Sequence, residues 1–403
     1  MSSDVIVVGA GPAGSFSALQ AAKLGVQVTI CEEHGEVEVP THCTGHVSLA
    51  GIRRFDLRLP KKVFENEIKS AIFYSPSSYR FSVRFAFPVT CVINRELFDQ
   101  HLLHMALNAG VKVLDNTYVD SLLIKKSSVK GVIVKQKKKT EKLVSSIVID
   151  AEGVSSTLLK RAGLPSLNRH MIVKGVHAEV DKIDNIDNDT VEVYLGHSFA
   201  PSFFAWIVPR RDGTAKIGLG TEKGNPHSCL RRFVRHNPIA RQKLKRSRFT
   251  SLVYHPISLG GPISRTFYNG LLIVGDAASH VKPTTGGGVI MGLTCAKIAG
   301  KVAAYAVHHK DSSANFLSEY ERQWRKEIGF DMMVMKHLRL MLNGFSDKQI
   351  DRLIAFCTRL RLDERLKDVK DVDFQGTSLI RIVKSPNTLA SMLYFLLLRF
   401  LTR

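Results

Sequence analysis

The sequence predicts an α/β protein in which a Rossmann-like parallel sheet is interleaved with an antiparallel sheet and followed by helices. Three observations carry that expectation. A glycine fingerprint joins a buried strand to a helix at residues 5–14, Glu32 closes the next apolar strand, and a second strand-to-helix junction falls at Gly275-Asp276 about 260 residues later. Val5 to Val8 form the first strand, and Gly9, Gly11 and Gly14 make the turn. The first glycine permits the tight turn, the second lets backbone approach a pyrophosphate, and the third, next to Ala13, lets helix and strand pack closely. Phosphate then sits on the helix N-terminus, where free N–H groups and the dipole favour an anion. The strand over residues 26–31 delivers Glu32 to ribose hydroxyls, and an acid there disfavours a 2′-phosphate. The N-terminal region therefore binds an adenine dinucleotide that is not NADP.

The remaining elements follow in order. Residues 35–48 read as irregular, and 71–74 and 79–85 as antiparallel strands. Residues 95–108 read as a helix, with Asn94 as its N-cap and Gly110 beyond its end. Residues 111–114, 121–126, 131–135 and 144–150 read as strands, and 172–220 is strand-rich. The buried strand 271–274 precedes helices over 289–307 and 314–342, and 389–401 is nearly continuously apolar with basic ends.

Composition narrows the partners. The 403 residues are 44% hydrophobic and 23% charged, an ordinary globular balance, but the net charge is +21. Such an excess favours an anionic partner surface. The basic stretches 125–142 and 231–248 read as solvated faces, the first as a hairpin; no nucleic-acid module accompanies them, so acidic lipid ranks above nucleic acid. The six cysteines are scattered, with no zinc spacing, so no metal site or disulfide is implied and a reducing cytoplasmic compartment fits. Asp4 precedes the N-terminal apolar run, which reads as a strand and not a signal peptide. No run reaches the ~18 to 20 apolar residues of a membrane span.

Asp276, where a strand meets a helix, suits a ribityl hydroxyl while the helix N-terminus faces flavin or phosphate oxygens, and Gly286, Gly287 and Gly288, followed by Val289, let backbone N–H groups approach a flavin edge. Together with the N-terminal fingerprint, these residues resemble the FAD-dependent family that joins aromatic hydroxylases to geranylgeranyl reductases, over roughly residues 1–310. The resemblance implies a Rossmann-like FAD-binding domain of glutathione-reductase type, formed by residues 1–75, 95–170 and 265–310. It further implies an antiparallel-sheet substrate domain of residues 76–94 and 171–264, leaving 311–403 as a C-terminal helical region.

Within that superfamily, Arg95 matches a helix-start arginine that contacts FAD; its plainer reading is an exposed helix charge. Three segments lean toward the reductases. Thr41-His42-Cys43-Thr44-Gly45 resembles their cysteine loop beside the flavin, where a thiol donates a proton or merely lines the pocket. Phe204-Ala-Trp206-Ile-Val208-Pro209, followed by Gly218-Leu-Gly220, resembles the motif lining their isoprenoid cavity. Asp150-Ala-Glu152-Gly153 departs from the hydroxylase FAD and NADPH segment, with Glu152 for aspartate and Leu159 for arginine. His42 and His280 could carry protons, although His280 beside a glycine-rich turn reads as a hydrogen-bonded structural group.

The implied function is FAD-dependent reduction of geranylgeranyl double bonds in membrane lipid precursors, with Cys43 or water as proton source. The alternative is a flavin monooxygenase. The electron donor stays open among NADPH, ferredoxin and a deazaflavin. The apolar segment 389–401 suits either an interfacial helix or one packed on the domain. The expected setting is cytoplasmic, peripheral on the inner face of an archaeal membrane.

Overall fold

The computed structural model of the chain describes residues 2–35, 43–136, 139–250, 252–367, 369 and 371–383. Its central sheet runs in the order Phe267–Tyr268, Leu271–Ile273, Lys139–Asp150, Ser2–Val8, Val28–Cys31, Lys112–Leu114. The four inner pairings are parallel, which places the C-terminal ends of Ser2–Val8, Lys139–Asp150 and Leu271–Ile273 side by side. Ligands bind outside those strand ends in open α/β sheets. Val5, Val7, Ile147, Ile149 and Leu272 point into one core and Ile6, Val8, Val148, Leu271 and Ile273 into another, as a sheet covered on both faces requires.

The basic stretch around Gly131 is the expected hairpin. Ser128–Gln136 pairs antiparallel with Lys139–Asp150 and with Tyr118–Lys125. Arg95–Asn108 forms with the expected bounds, and the Asn94 side chain accepts the Leu97 N–H at 3.0 Å.

A seven-stranded sheet runs in the order Val253–Ser258, Ile172–Val180, Ala215–Thr221, Ala205–Pro209, Thr190–Tyr194, Ser70–Tyr74, Arg80–Arg84. All its pairings are antiparallel except that of Ser70–Tyr74 with Thr190–Tyr194. The domain boundary drawn at residue 75 therefore falls inside this sheet. Ser70–Tyr74 cannot leave its partner Arg80–Arg84, because the two form one hairpin. A third sheet (His46–Ser48, Thr90–Ile93, Phe64–Ile68) likewise straddles that boundary and replaces part of the irregular stretch expected before residue 48.

The basic stretch 231–248 folds as two helices, Pro226–His236 and Pro238–Leu244, each with proline in its first turn and an asparagine N-cap. Leu230 and Phe233 pack inward while Arg231, Arg232, Arg235 and Arg241 are exposed, so the stretch is an amphipathic solvated face.

The helix Val289–His308 is long and apolar, and it belongs to the core. By length and composition it alone, among the described residues, could cross a membrane, yet 78% of its apolar window is buried inside the protein. It lies against the first helix, Pro12–Ala22, so closely that a Cβ on Gly300 would stand 2.3 Å from the Ser17 carbonyl oxygen. Ala314–Trp324 and Phe330–Asn343 follow, joined by a turn of π-helix at Arg325–Gly329, as one helical stretch. The apolar segment 389–401 lies outside the described residues, as do Thr41 and His42.

His280 is structural in a way the sequence does not reveal. It is wholly buried, edge-on to Trp324 with centroids 5.0 Å apart, and neither ring nitrogen has a hydrogen-bond partner among the described residues. Burial first, then Arg325, pushes its pKa down to about 3. The unfolded chain therefore takes up this proton near pH ~6.5 and the folded chain does not. Stability is full above that pH and falls as pH drops from there toward 3. His280→Phe is expected to remove about 2 kcal/mol of the loss between pH 7 and pH 5, measured by urea unfolding; an unchanged slope would contradict this.

Candidate active site

The glycine turn has the shape a pyrophosphate needs. Gly9 has φ +92°, and a Cβ there would stand 2.7 Å from the Ala151 carbonyl oxygen; on Gly14 it would stand 1.9 Å from the Gly9 carbonyl oxygen. Those two glycines serve close packing. Gly11 differs: among the described residues, its chain neighbours aside, nothing lies within 4 Å of its Cβ position, so the space above it is open. Gly11 is also the N-cap of Pro12–Ala22, with no side-chain cap, which leaves the helix N–H groups facing that space.

Glu32 closes the turn. One carboxylate oxygen accepts the Ala10 N–H at 2.7 Å, and the other takes the His34 N–H at 3.1 Å and its Nδ1 at 2.6 Å. Three of about four acceptor positions are engaged, so His34 occupies much of the oxygen expected to serve ribose.

Glu152 is turned to a different task from the one expected. Its carboxylate accepts the Leu158 N–H at 2.8 Å and the Ser155 hydroxyl at 3.3 Å, capping Thr157–Arg161, whose N-cap Ser156 offers no side-chain bond. What borders the glycine turn is the backbone at Ala151 and Glu152. Gly153 has φ +75°, which carries the chain away into that short helix. Asp150, beneath, is buried; burial first, and Glu152 next, hold its carboxyl well above the usual range.

The second junction meets the first. A Cβ on Gly275 would stand 2.8 Å from the Ala13 Cβ, so the two turns abut at the sheet's end. Asp276 follows, partly exposed, and no side-chain hydrogen bond to it occurs among the described residues. Burial raises its pKa and Arg95 opposes this. A Cβ on Gly288 would stand 2.8 Å from Asp276 Oδ1; Gly288 is the N-cap of Val289–His308 and again offers no side-chain cap. Two uncapped helix starts, an open glycine and an unengaged carboxylate, all at one sheet end, fit FAD. Gly9, Gly11, Ala13 and Gly14 would hold the pyrophosphate, Glu32 the ribose, Asp276 the ribityl chain, and Gly286, Gly287, Gly288 and Val289 the flavin edge.

Arg95 is buried in the site and is not a surface charge. It forms a two-pronged pair with Asp99, both bonds 2.9 Å, and its side chain is 14% exposed. Burial opposes its charge, but Asp99 and then Cys43 outweigh it, so its pKa is raised. The same guanidinium acts on Asp276 and on His255. Cys43 is half-buried, and its Sγ accepts the Gly45 N–H at 3.4 Å. Gly45, with φ +74°, fixes this turn, because a Cβ there would stand 2.1 Å from the Ile93 carbonyl oxygen. The strand Thr90–Ile93 thus holds the cysteine loop against the start of the Arg95 helix.

The strand Ala205–Pro209 and the residues before it form an aromatic wall. Phe203 and Phe204 stack at 4.1 Å, and Phe204 meets Trp206 edge-on at 5.9 Å. A Cβ on Gly218 would stand 2.5 Å from the Trp206 ring and one on Gly220 2.5 Å from the Phe203 ring, so both glycines make room for the wall. Pro209 lies at the strand's far end, its carbonyl accepting from Asn66 at 2.9 Å, a structural role.

Phe203 joins the wall to the flavin loop. It would stand 3.4 Å from a Gly286 Cβ, with Ile257 at 3.0 Å. Sequence reasoning missed Phe203, although its place beside Phe204 was a signal; Asp99, four residues after Arg95, could have been found from helical spacing.

Comparison with known proteins places the chain among FAD-binding proteins. The FAD-binding-domain family model matches residues 2–328. The chain is 34% identical over 392 residues to digeranylgeranylglycerophospholipid reductase 2 of Methanothermobacter thermautotrophicus, covering 95% of this chain and 97% of that one. It is 33% identical over 355 residues to digeranylgeranylglycerophospholipid reductase of Methanocaldococcus jannaschii, covering 87% and 89%. Among solved structures, a geranylgeranyl bacteriochlorophyll reductase-like protein from Thermoplasma acidophilum superposes with a TM-score of 0.85 at 25% identity, over 98% and 99% of the two chains.

Proposed function

The chain belongs to the FAD-dependent digeranylgeranylglycerophospholipid reductase family, and from that premise we propose that it reduces geranylgeranyl double bonds of membrane lipid precursors. The observation that carries the reading is that Phe203, stacked on Phe204 of the apolar wall, would stand 3.4 Å from a Cβ on Gly286 of the glycine loop, with the Arg95 charge acting both on Cys43 and on Asp276 beside that loop. FAD, when bound and reduced, supplies the hydride equivalent.

The chain's own residues do the rest. The wall offers an isoprenoid chain apolar contact and excludes water, holding the alkene in one orientation. An isolated trisubstituted alkene accepts hydride poorly, so a proton must reach the other carbon during transfer. Cys43 holds that proton at Sγ, and Arg95 beside it balances the charge left on sulfur. Asp99, itself buried, keeps the guanidinium in place.

Other parts of the reading concern access and supply. The exposed arginines of Pro226–His236 and Pro238–Leu244 give an anionic membrane surface something to hold, which suits a substrate that resides in lipid. The protein would then work at the inner face of the cell membrane. The donor that reduces FAD is one of NADPH, ferredoxin or a deazaflavin.

Cys43→Ala tests the proton role. With FAD still bound, anaerobic reoxidation of the reduced enzyme by lipid substrate is expected to slow by about 10²–10⁴, the range for loss of a general acid. Unchanged single-turnover rates would assign the proton to water.

A further inference from the structure

We propose that Lys282, held by Asp373 from the C-terminal helical region, sets the positive potential at the flavin edge and so tunes the reduction potential of bound FAD. This rests on FAD binding alone and not on the identity of the lipid substrate.

Lys282 lies along the glycine run. A Cβ on Gly287 would stand 2.7 Å from Lys282 Cε and 3.3 Å from its Nζ, so the lysine stem fills the space a side chain at 287 would take. The Lys282 N–H donates to the Gly287 carbonyl at 3.1 Å, and its own carbonyl accepts the Gly286 N–H at 2.9 Å. Side chain and loop are thus one rigid unit. The ammonium is 13% exposed and pairs at 2.8 Å with Asp373, whose carboxylate is fully buried. Asp373 also faces Arg54 at 3.4 Å, and Arg54 pairs with Asp371 at 2.9 Å.

The field of Lys282 reaches inward. Burial first, and Lys282 next, push the His46 imidazole down to about 4. Reduction places negative charge on the flavin ring system, and charge near its nitrogens is a protein's lever on its electronics. A cation rigidly attached to the run that takes the flavin edge stabilises the reduced form; a carboxylate on that cation reduces the effect. Asp373 comes from a distant segment, which Thr284 (to Gln375, 2.5 Å) also ties to the loop, while Arg339 of Phe330–Asn343 holds the same loop by donating to the Thr284 carbonyl at 2.6 Å. The C-terminal region therefore controls how much of the Lys282 charge the flavin feels.

The test is an anaerobic dye-equilibrium titration of FAD-loaded wild type, Lys282→Met, Asp373→Asn and Thr284→Val, read from flavin absorbance. Lys282→Met is expected to shift the equilibrium toward oxidised flavin about tenfold, near 30 mV for a two-electron couple. Asp373→Asn is expected to shift it the other way by at least threefold. Thr284→Val removes the separate bond to Gln375, leaves the Lys282–Asp373 pair and every charge in place, and is expected to leave the equilibrium unshifted. Shifts of one sign in all three variants, or none in the charge variants, would overturn the proposal. If Lys282→Met does not hold FAD, the sign of the Asp373→Asn shift decides alone.

Discussion

Gly11→Ala is expected to fold like the wild type and to lose FAD, with affinity down at least tenfold, roughly 1.4 kcal/mol or more. Gly11 has φ −61°, which alanine adopts without strain, and among the described residues, its chain neighbours aside, nothing lies within 4 Å of its Cβ position. The added methyl therefore meets only what binds above the turn. Gly14→Ala should behave in the opposite way. Its methyl would stand 1.9 Å from the Gly9 carbonyl oxygen, so helix and strand must separate, and overpacking of this kind costs about 1–3 kcal/mol or more. Thermal unfolding of both apoproteins, with FAD titration by fluorescence quenching, checks the pair. A destabilised Gly11→Ala apoprotein, or one that binds FAD as tightly as wild type, would count against the pyrophosphate site.

Arg95→Met is the second large effect. The substitution leaves the Asp99 carboxylate buried without its cation, and breaking such a pair costs about 3–5 kcal/mol. Burial already raises the Asp99 pKa and Arg95 opposes it, so the variant's carboxyl should protonate at higher pH. Removing both partners, Arg95→Met with Asp99→Leu, should recover most of the stability, because no stranded charge remains. It should not recover turnover, because Arg95 also serves Cys43 and Asp276. Urea unfolding of the single and double variants, with single-turnover kinetics on each, separates the two roles.

The parts of the site legible in the sequence were those whose chemistry is local. Gly9, Gly11 and Gly14 announce a turn because their spacing serves strand, phosphate and helix within ten residues. Asn94 and the Arg95–Asn108 helix were legible for the same reason: capping and periodicity act over one or two turns. The helix-capping bond of Glu152 was not legible, because its motif position says nothing about where its carboxylate turns, and that carboxylate accepts the Leu158 N–H six residues on. The boundary at residue 75 failed because the partner that pairs with Ser70–Tyr74 in parallel, Thr190–Tyr194, is far away in sequence. Asp373 was invisible for that reason too, since nothing local marks an aspartate that will meet Lys282 about 90 residues earlier in the chain.

Lipid saturation by the reduced enzyme is the most direct test. The FAD-loaded protein is reduced with dithionite under anaerobic conditions, freed of excess reductant and mixed with digeranylgeranylglyceryl phospholipid. The expected result is reoxidation of one flavin for each lipid double bond lost, with a mass gain of two hydrogens per bond. A flavin that stays reduced until air is admitted, and then places oxygen in an aromatic or polyene substrate, would contradict the reductase account.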